Sequence, residues 1–561
     1  MLVKPVTAQH GMVVAAHPEA VAAGVAVLQA GGNAVDAAIA TSLAVGVAEP
    51  YGSGLGGKLM LLFFEAKTGR TFAVDAMDRA GSLDLKAYRQ RPEEDRSYGY
   101  GSVCVPGLAA GLWLVHQKWG GRPWAENIQP AIALARRGFL ILPKAQGMFA
   151  EQEKKLRKGD REIARLYLPE GQLPVAGTRL ANPDLARTME ILAKEGRDGF
   201  YRGEVAGAIV SASEKGGGVL TLADLADYEA RVVEPMTMVF RGYTLICAPP
   251  PASGAALFLP IMKVLETETF GGGPLRTAAN LHTLGRVWRV VAPRVSRTIG
   301  DAPESRFLFE KLLAPDSIAA LRAAASAESG KSRKVSRVDP FPTGAWPVPD
   351  DSAESWGGEV SPFYESPMAA TTHFIVVDGA GNIVCATQSQ SLHFGAGVVP
   401  PGTGVVMNNS MSNFTFTDLK SINAAAPGKR ARSTIGPTIV LRDSRPELAI
   451  GIPGSSRIPT ALLQVLLDRL ALGRPLAEAI GDTRFHFLTP LRATDHEAFE
   501  AEQSFPHAEA VALRALGWRV NLPEAAGTGR YFGGVNAVEF NRDGTLSGYA
   551  DPRRTNVAAG Y

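Results

Sequence analysis

The chain has 561 residues, 46% of them hydrophobic and 20% charged, enough apolar material for one elaborate core or several domains. Its formal net charge of +3 comes without long basic blocks, so no nucleic-acid partner is expected. No run reaches the roughly 18 apolar residues that a membrane span requires, and the N-terminal stretch MLVKPVTAQHGMVVAAHPEA shows neither an apolar h-region nor a small-residue cleavage site, which leads us to expect a soluble, cytoplasmic protein without a membrane partner.

In chain order, His17 to Pro50 is alanine-rich and predicts two helices broken at Gly31-Gly32-Asn33, with Asn33 capping the second. Their faces are almost wholly apolar, so both should be buried against a sheet. Gly52 to Lys58 (GSGLGGK) satisfies the first seven positions of the phosphate-cradling GxxxxGK loop. Leu59 stands where the magnesium-binding Ser or Thr belongs, however, and a strand pattern (Leu59 to Phe64) follows where a helix should. Thr71 to Asp75 predicts the next strand, and beyond it Arg79, Lys86 and Arg89 are candidate partners for a carboxylate, although basic loop residues are more often solvated. The charged run Glu151 to Leu166 predicts an amphipathic helix with a solvated face. Cys104, Cys247 and Cys385 lack any disulfide or zinc-ligand spacing and read as small core residues.

The segment from about 266 to 337 carries no assignable pattern, and residues 339–370 hold six prolines with little periodicity, as an extended and accessible linker would. Ala370-Thr371-Thr372-His373-Phe374 follows. Phe374 to Val377 is apolar and β-branched, Asp378 to Asn382 (DGAGN) is turn chemistry, and Ile383 to Thr387 resumes a strand: a hairpin. Centred on Ala380, its register places Thr371 opposite Ser389, two hydroxyls at cross-strand distance. A threonine freed at its amino end carries its own general base, the α-amine, so cleavage before Thr371 would create a nucleophilic site.

The segments TTHFIVVDGAGN, FGAGVVPPGTGVVMNN, RARSTIGPTIV and GIPGSSRI, with GGNAVDAA near the start and ADPRRTNVAAGY at the close, resemble the γ-glutamyltranspeptidase family of N-terminal-nucleophile hydrolases over nearly the whole chain. The resemblance implies an α+β fold, the four-layer αββα sandwich. It implies one precursor cut into a large subunit, residues 1–370, and a small subunit, residues 371–561, associated as a heterodimer or a dimer of heterodimers. The substrate would be a small-molecule amide, and neither a metal nor an organic cofactor is called for. Thr371 would be the nucleophile with Ser389 beside it. The amides of Gly454 and Ser455, in a turn that matches the family's PGGS, would hold the oxyanion. Ser433 and Thr434 match the paired hydroxyls that hold the substrate carboxylate, with a basic residue among Arg79, Lys86 and Arg89 as the clamp.

The departures bear on specificity. Lys58 stands where the family has glycine, Ser391 replaces an asparagine, Ser410 a glutamine or glutamate, and Asn413 the aspartate that pairs with the substrate's α-ammonium. Losing that anion removes a charge-assisted bond to a cation, so the expected acyl group is a non-amino dicarboxylic half-amide, oxamate- or glutaryl-like, ahead of a γ-glutamyl group. Outside this class stand a nucleotide-binding protein using the Gly52–Lys58 loop, a catalytically dead scaffold, and a serine amidase built on Ser455-Ser456, for which no lysine motif is present.

Overall fold

The hairpin expected around Ala380 lies at the centre of the protein. In the computed structural model, which describes residues 1, 3–327, 369–488, 498–523 and 531–561, strands Ala369–Val377 and Ile383–Leu392 pair antiparallel with Val377 opposite Ile383. Asp378 holds the turn: one carboxylate oxygen accepts from the amides of Ala380 and Asn382, the other from the Asn382 side chain. That second oxygen also accepts from the amide of Ala34, so the turn anchors the hairpin to the helix above it.

Two antiparallel seven-stranded sheets are stacked between layers of helix. In the first, the order is Asn556–Gly560, Met12–Ala16, Ala369–Val377, Ile383–Leu392, Lys58–Glu65, Arg70–Ala76 and Arg231–Val233. In the second it is Val6–Ala8, Leu546–Ala550, Asn536–Phe540, Arg445–Gly451, Thr438–Arg442, Tyr243–Cys247 and Met236–Phe240. Both sheets therefore combine strands from before and after residue 370. Between the sheets Val14, Leu62, Ile375, Ile246, Ile439 and Ala449 interdigitate with Cys385, and separate apolar cores join each outer face to its helices. This is the expected αββα sandwich. Cys104, Cys247 and Cys385 are free and buried, as expected.

Helices Pro18–Gln29 and Ala34–Ala48 form with the expected break. The Asn33 side chain accepts from the amides of Val35 and Asp36 while Asp36 accepts from the Asn33 amide, so two otherwise orphaned donors are satisfied. With no polar face to present to water, the second helix is buried along nearly its whole length.

Two expectations need correction. The run from Glu151 to Leu166 is not one helix but parts of three, Pro143–Glu151, Glu153–Lys158 and Arg161–Tyr167. The chain breaks at Gly159, which backs onto the Gly397 carbonyl, and Asp160 caps the next helix by accepting from the Ile163 amide. Nor is its charged face simply solvated: the Lys155 ammonium donates to the carbonyls of His393 and Gly395, and Asp160 accepts from the Val399 amide. The segment grips the loop that follows the central hairpin. The stretch without an assignable pattern folds, up to residue 327, as helices Ala278–Thr298, Ser305–Leu312 and Pro315–Ala327. The proline-rich linker lies outside the described residues apart from Ala369 and Ala370. No described helix is long and apolar enough to cross a membrane.

Candidate active site

Thr371 occupies an irregular point of the hairpin. Ala370 faces Ser391 and Thr372 faces Gln388, so the two residues Ser389 and Gln390 stand against Thr371 alone, a β-bulge. The Thr371 hydroxyl, 3% exposed as a residue, lies 3.1 Å from Ser389 Oγ and 2.6 Å from the carbonyl oxygen of Ala370. Ser389 donates to that same carbonyl and accepts from the Ser391 amide at 3.0 Å. The carbonyl of the Ala370–Thr371 peptide bond is thus gripped by hydroxyls, one of them the neighbouring nucleophile candidate. On the other side, Arg554 Nη1 donates to the Thr371 carbonyl at 3.2 Å. Thr372 donates to buried Glu49 at 3.1 Å, and Glu49 also accepts from Tyr51 and Thr555.

Lys58 opens the strand next to Ser389, and the ladder pairs Ser389 with Lys58 directly. Residues opposite one another share a face, so Thr371, Ser389 and Lys58 form a row across three strands. The Lys58 ammonium, 1% exposed, donates to Ser391 Oγ at 2.5 Å, Ser410 Oγ at 2.7 Å and Asp78 Oδ2 at 3.3 Å. Ser410 donates to Asp78, and the Asn413 side-chain amide donates to Ser391 Oγ at 3.1 Å. Burial pushes the Asp78 carboxyl up to about 6, against the opposing pull of Lys58 and Ser410. Ser391 and Ser410, separately singled out in the sequence, therefore converge on Lys58, and Asn413 joins them through Ser391.

The third part of the site comes from the second sheet. Gly451 ends its strand with no room for a Cβ beneath the His373 ring, and the chain then turns through Pro453-Gly454-Ser455-Ser456 into helix Arg457–Leu466. Among the described hydrogen bonds the amides of Gly454 and Ser455 donate to no protein acceptor, as an oxyanion site requires. Ser455 has φ 56° and Ser391 φ 77°, left-handed values that cost an L residue roughly 1–2 kcal/mol and that concentrate at functional sites. Thr434 donates its hydroxyl to the Ser455 carbonyl at 2.9 Å, bracing the turn, so to donate to a carboxylate it must first release that bond. Ser433 lies beside it, its carbonyl accepting from the Ser253 amide.

The basic candidates do not join this cluster. Arg79 donates to the carbonyls of Asp224 and Asp227 and lies over the Tyr228 ring. Lys86 is exposed and Arg89 half-buried on the short helix Leu85–Arg89. The cations the structure does bring here are Lys58 and Arg554. Sequence reasoning also passed over Glu49, Asp78 and Arg554. An acid closing a wholly apolar helix was a usable signal for Glu49. Asp78 and Arg554 had none, since the contacts that tie them to the central hairpin and its loop, Asp78 with Ser410 and Arg554 with Thr371, join residues far apart in the chain.

The Gly52–Lys58 loop serves packing. A Cβ on Gly56 or Gly57 would collide with the carbonyls of Val406 and Ser389, and the Gly57 carbonyl accepts from the amides of Gly107 and Leu108. With its lysine enclosed beside Asp78, the loop has no ammonium to offer a phosphate. ATP and GTP are expected to leave the melting temperature unchanged; saturable calorimetric binding lost in Lys58→Ala would overturn this.

A row of hydroxyls at a hairpin start, a Gly454-Ser455 turn whose amides donate to no described acceptor, and two stacked sheets between helices agree with a family match extending over residues 20–561, to γ-glutamyltranspeptidase. The chain belongs to this family. Its γ-glutamyltranspeptidase-family relatives include the acylase ACY 1 proenzyme of Pseudomonas sp. (strain SE83), 34% identical across 98% of this chain and 93% of the relative. The glutathione hydrolase proenzyme of Escherichia coli (strain K12) is 30% identical across 99% and 93%. Among solved structures, the cephalosporin acylase of Bacillus halodurans matches at TM-score 0.83 and 26% identity, covering 100% of this chain and 97% of that one. The γ-glutamyltranspeptidase family supplies both the N-terminal-nucleophile fold and the class of chemistry, amide hydrolysis or acyl transfer.

Proposed function

We propose that this protein is a self-processing amide hydrolase whose nucleophile is Thr371, acting on acyl amides that carry a distal carboxylate and no α-ammonium. The observation that carries the proposal is the placement of the Thr371 hydroxyl against both Ser389 and the carbonyl of its own preceding peptide bond. Oγ1 of Thr371 adds to the Ala370 carbonyl carbon, the hydroxyl proton passes to the peptide nitrogen as the C–N bond breaks and frees the neutral α-amine, and water hydrolyses the resulting ester. The products are residues 1–370 and 371–561, held together by their shared sheets.

In turnover the new α-amine takes the hydroxyl proton, Oγ1 attacks the substrate amide, and the amides of Gly454 and Ser455 receive the developing oxyanion. The leaving amine departs with the proton, and water releases the acyl group. That two relatives bear the name proenzyme supports the cut. The relative named an acylase supports an acyl group other than γ-glutamyl, and the neutral Asn413 beside Ser391 agrees with it.

The test is a denaturing gel with N-terminal sequencing, followed by hydrolysis of a panel of glutaryl, succinyl, oxalyl and γ-glutamyl amides. A fragment beginning at Thr371 and a higher kcat/KM for an amine-free acyl amide are expected. An active enzyme left intact at this bond would falsify the mechanism. Restoring an anion with Asn413→Asp should move the γ-glutamyl to glutaryl ratio upward by roughly tenfold, about 1.4 kcal/mol of differential binding. If the γ-glutamyl amide is already best and Asn413→Asp changes nothing, the acyl group is γ-glutamyl.

A further inference from the structure

Lys58 is an unusual residue to find buried in a catalytic row. It is 1% exposed, it faces Ser389 across the ladder, and Ser389 faces Thr371. A lysine so enclosed needs acceptors for its protons. Here they are Asp78 Oδ2, Ser391 Oγ and Ser410 Oγ, the last two being adjacent to each other at 2.8 Å. Asn413 adds a further donor to Ser391, whose own amide donates to Ser389. The hydroxyl oxygens of Ser389, Ser391 and Ser410 each already receive an N–H or O–H, and Oδ2 of Asp78 is shared between Lys58 and Ser410, while its Oδ1 has no partner among the described residues.

We infer that Lys58 is the residue that determines acyl specificity, because its ammonium permanently occupies the place that an amino-substituted acyl group would have to fill. This rests on the reading of function above and deepens it. An incoming α-ammonium would meet an ammonium already on the protein, one that holds Ser391 Oγ, Ser410 Oγ and Asp78 Oδ2. Like charges in a shared buried site exclude one another, whereas an acyl chain with hydrogen at that carbon meets no such conflict. The enzyme thereby builds into its own sheet the cation that an amino acid substrate would otherwise bring. Lys58 acts through occupancy and charge; it performs no bond-making step.

The experiment compares kcat/KM for glutaryl-p-nitroanilide and γ-glutamyl-p-nitroanilide on purified, processed enzyme. Lys58→Ala, which empties the place and leaves Asp78 and both serines, should raise the γ-glutamyl to glutaryl ratio at least tenfold, while Lys58→Arg, which keeps the cation, should hold it near the wild-type value. Ethylammonium chloride supplies an independent reading: it should compete with the γ-glutamyl amide in Lys58→Ala and leave wild type untouched. A ratio that rises less than tenfold in Lys58→Ala overturns the inference.

Should Lys58→Ala not fold, product inhibition of the wild-type enzyme decides instead. Glutarate should inhibit at least tenfold more tightly than L-glutamate, and equal or tighter inhibition by L-glutamate overturns the inference. Wild-type protein that yields no fragment starting at Thr371 and hydrolyses no amide would defeat the functional reading itself. Protein that is cut and active, with a ratio indifferent to Lys58, defeats only the assignment made here.

Discussion

Thr371→Ala is expected to migrate as a single 59.4 kDa chain and to lose activity by roughly 10⁴-fold or more, the scale on which a hydrolase depends on its nucleophile. The substitution deletes the oxygen that lies 2.6 Å from the Ala370 carbonyl oxygen and 3.1 Å from Ser389, yet it leaves the hairpin, its Asp378-bound turn and the bulge in place. Folding should therefore survive where chemistry does not. Ser389→Ala removes a hydroxyl donor from the same carbonyl and should slow the cut by roughly 10²-fold without abolishing it, comparable to deleting one oxyanion donor elsewhere. Mass spectrometry of both variants during incubation measures both effects. A Thr371→Ala preparation that still divides between residues 370 and 371 would show that another group performs the attack.

Acid should destabilise the protein through His373. This imidazole is buried between the sheets, its Nδ1 against Thr387 Oγ1 at 2.8 Å, and burial pulls its pKa down to about 3. In the unfolded chain it titrates near 6.5. Below that value the unfolded state takes up a proton that the folded state refuses, so stability falls as pH drops from about 6.5 towards 3. At pH 5 the loss is about 2 kcal/mol from this residue alone, approaching about 5 kcal/mol below pH 3. His486, buried and likewise lowered, adds to the trend.

Comparing denaturant unfolding of uncut Thr371→Ala with that of Thr371→Ala/His373→Asn at pH 7.5 and pH 5 isolates the His373 share. The asparagine variant will be weaker at both pH values because the ring packs over Gly451. Its loss between them should nonetheless be smaller by about 2 kcal/mol, and equal losses would contradict the account.

How much of this was legible beforehand depended on the range over which each feature is encoded. The pairing of Thr371 with Ser389 could be read because a five-residue turn, Asp378 to Asn382, fixes the register of everything that follows it on both strands. The bulge at Ser389-Gln390 could not, since no glycine or proline in either strand marks it. The break at Gly159 was missed because the charge pattern continues past it and the reason for stopping, the Gly397 carbonyl, lies far along the chain. Arg79, Lys86 and Arg89 had the right chemistry in the right neighbourhood, but which cation reaches a site is settled by sheet register. That register brought in Lys58, seen in the sequence only as a poor match to a phosphate loop. The sandwich was readable from extended resemblance; local periodicity alone would not have ordered sheets that combine strands from both parts of the chain.

That sharing of sheets makes the proposed cut a thermodynamic ratchet. Before it, unfolding and refolding involve one molecule, and Ala369–Val377 finds its place between Met12–Ala16 and Ile383–Leu392 at a rate independent of dilution. Afterwards the same folded body dissolves into two chains when it melts, so its melting point acquires a dependence on protein concentration, and recovery requires an encounter between pieces with exposed strand edges. Thr371→Ala should regain its native fold after a brief heat pulse in dilute solution, whereas the divided wild-type protein should not. The ability to refold would then belong to the inactive form, and activity to the form that can no longer reassemble unaided.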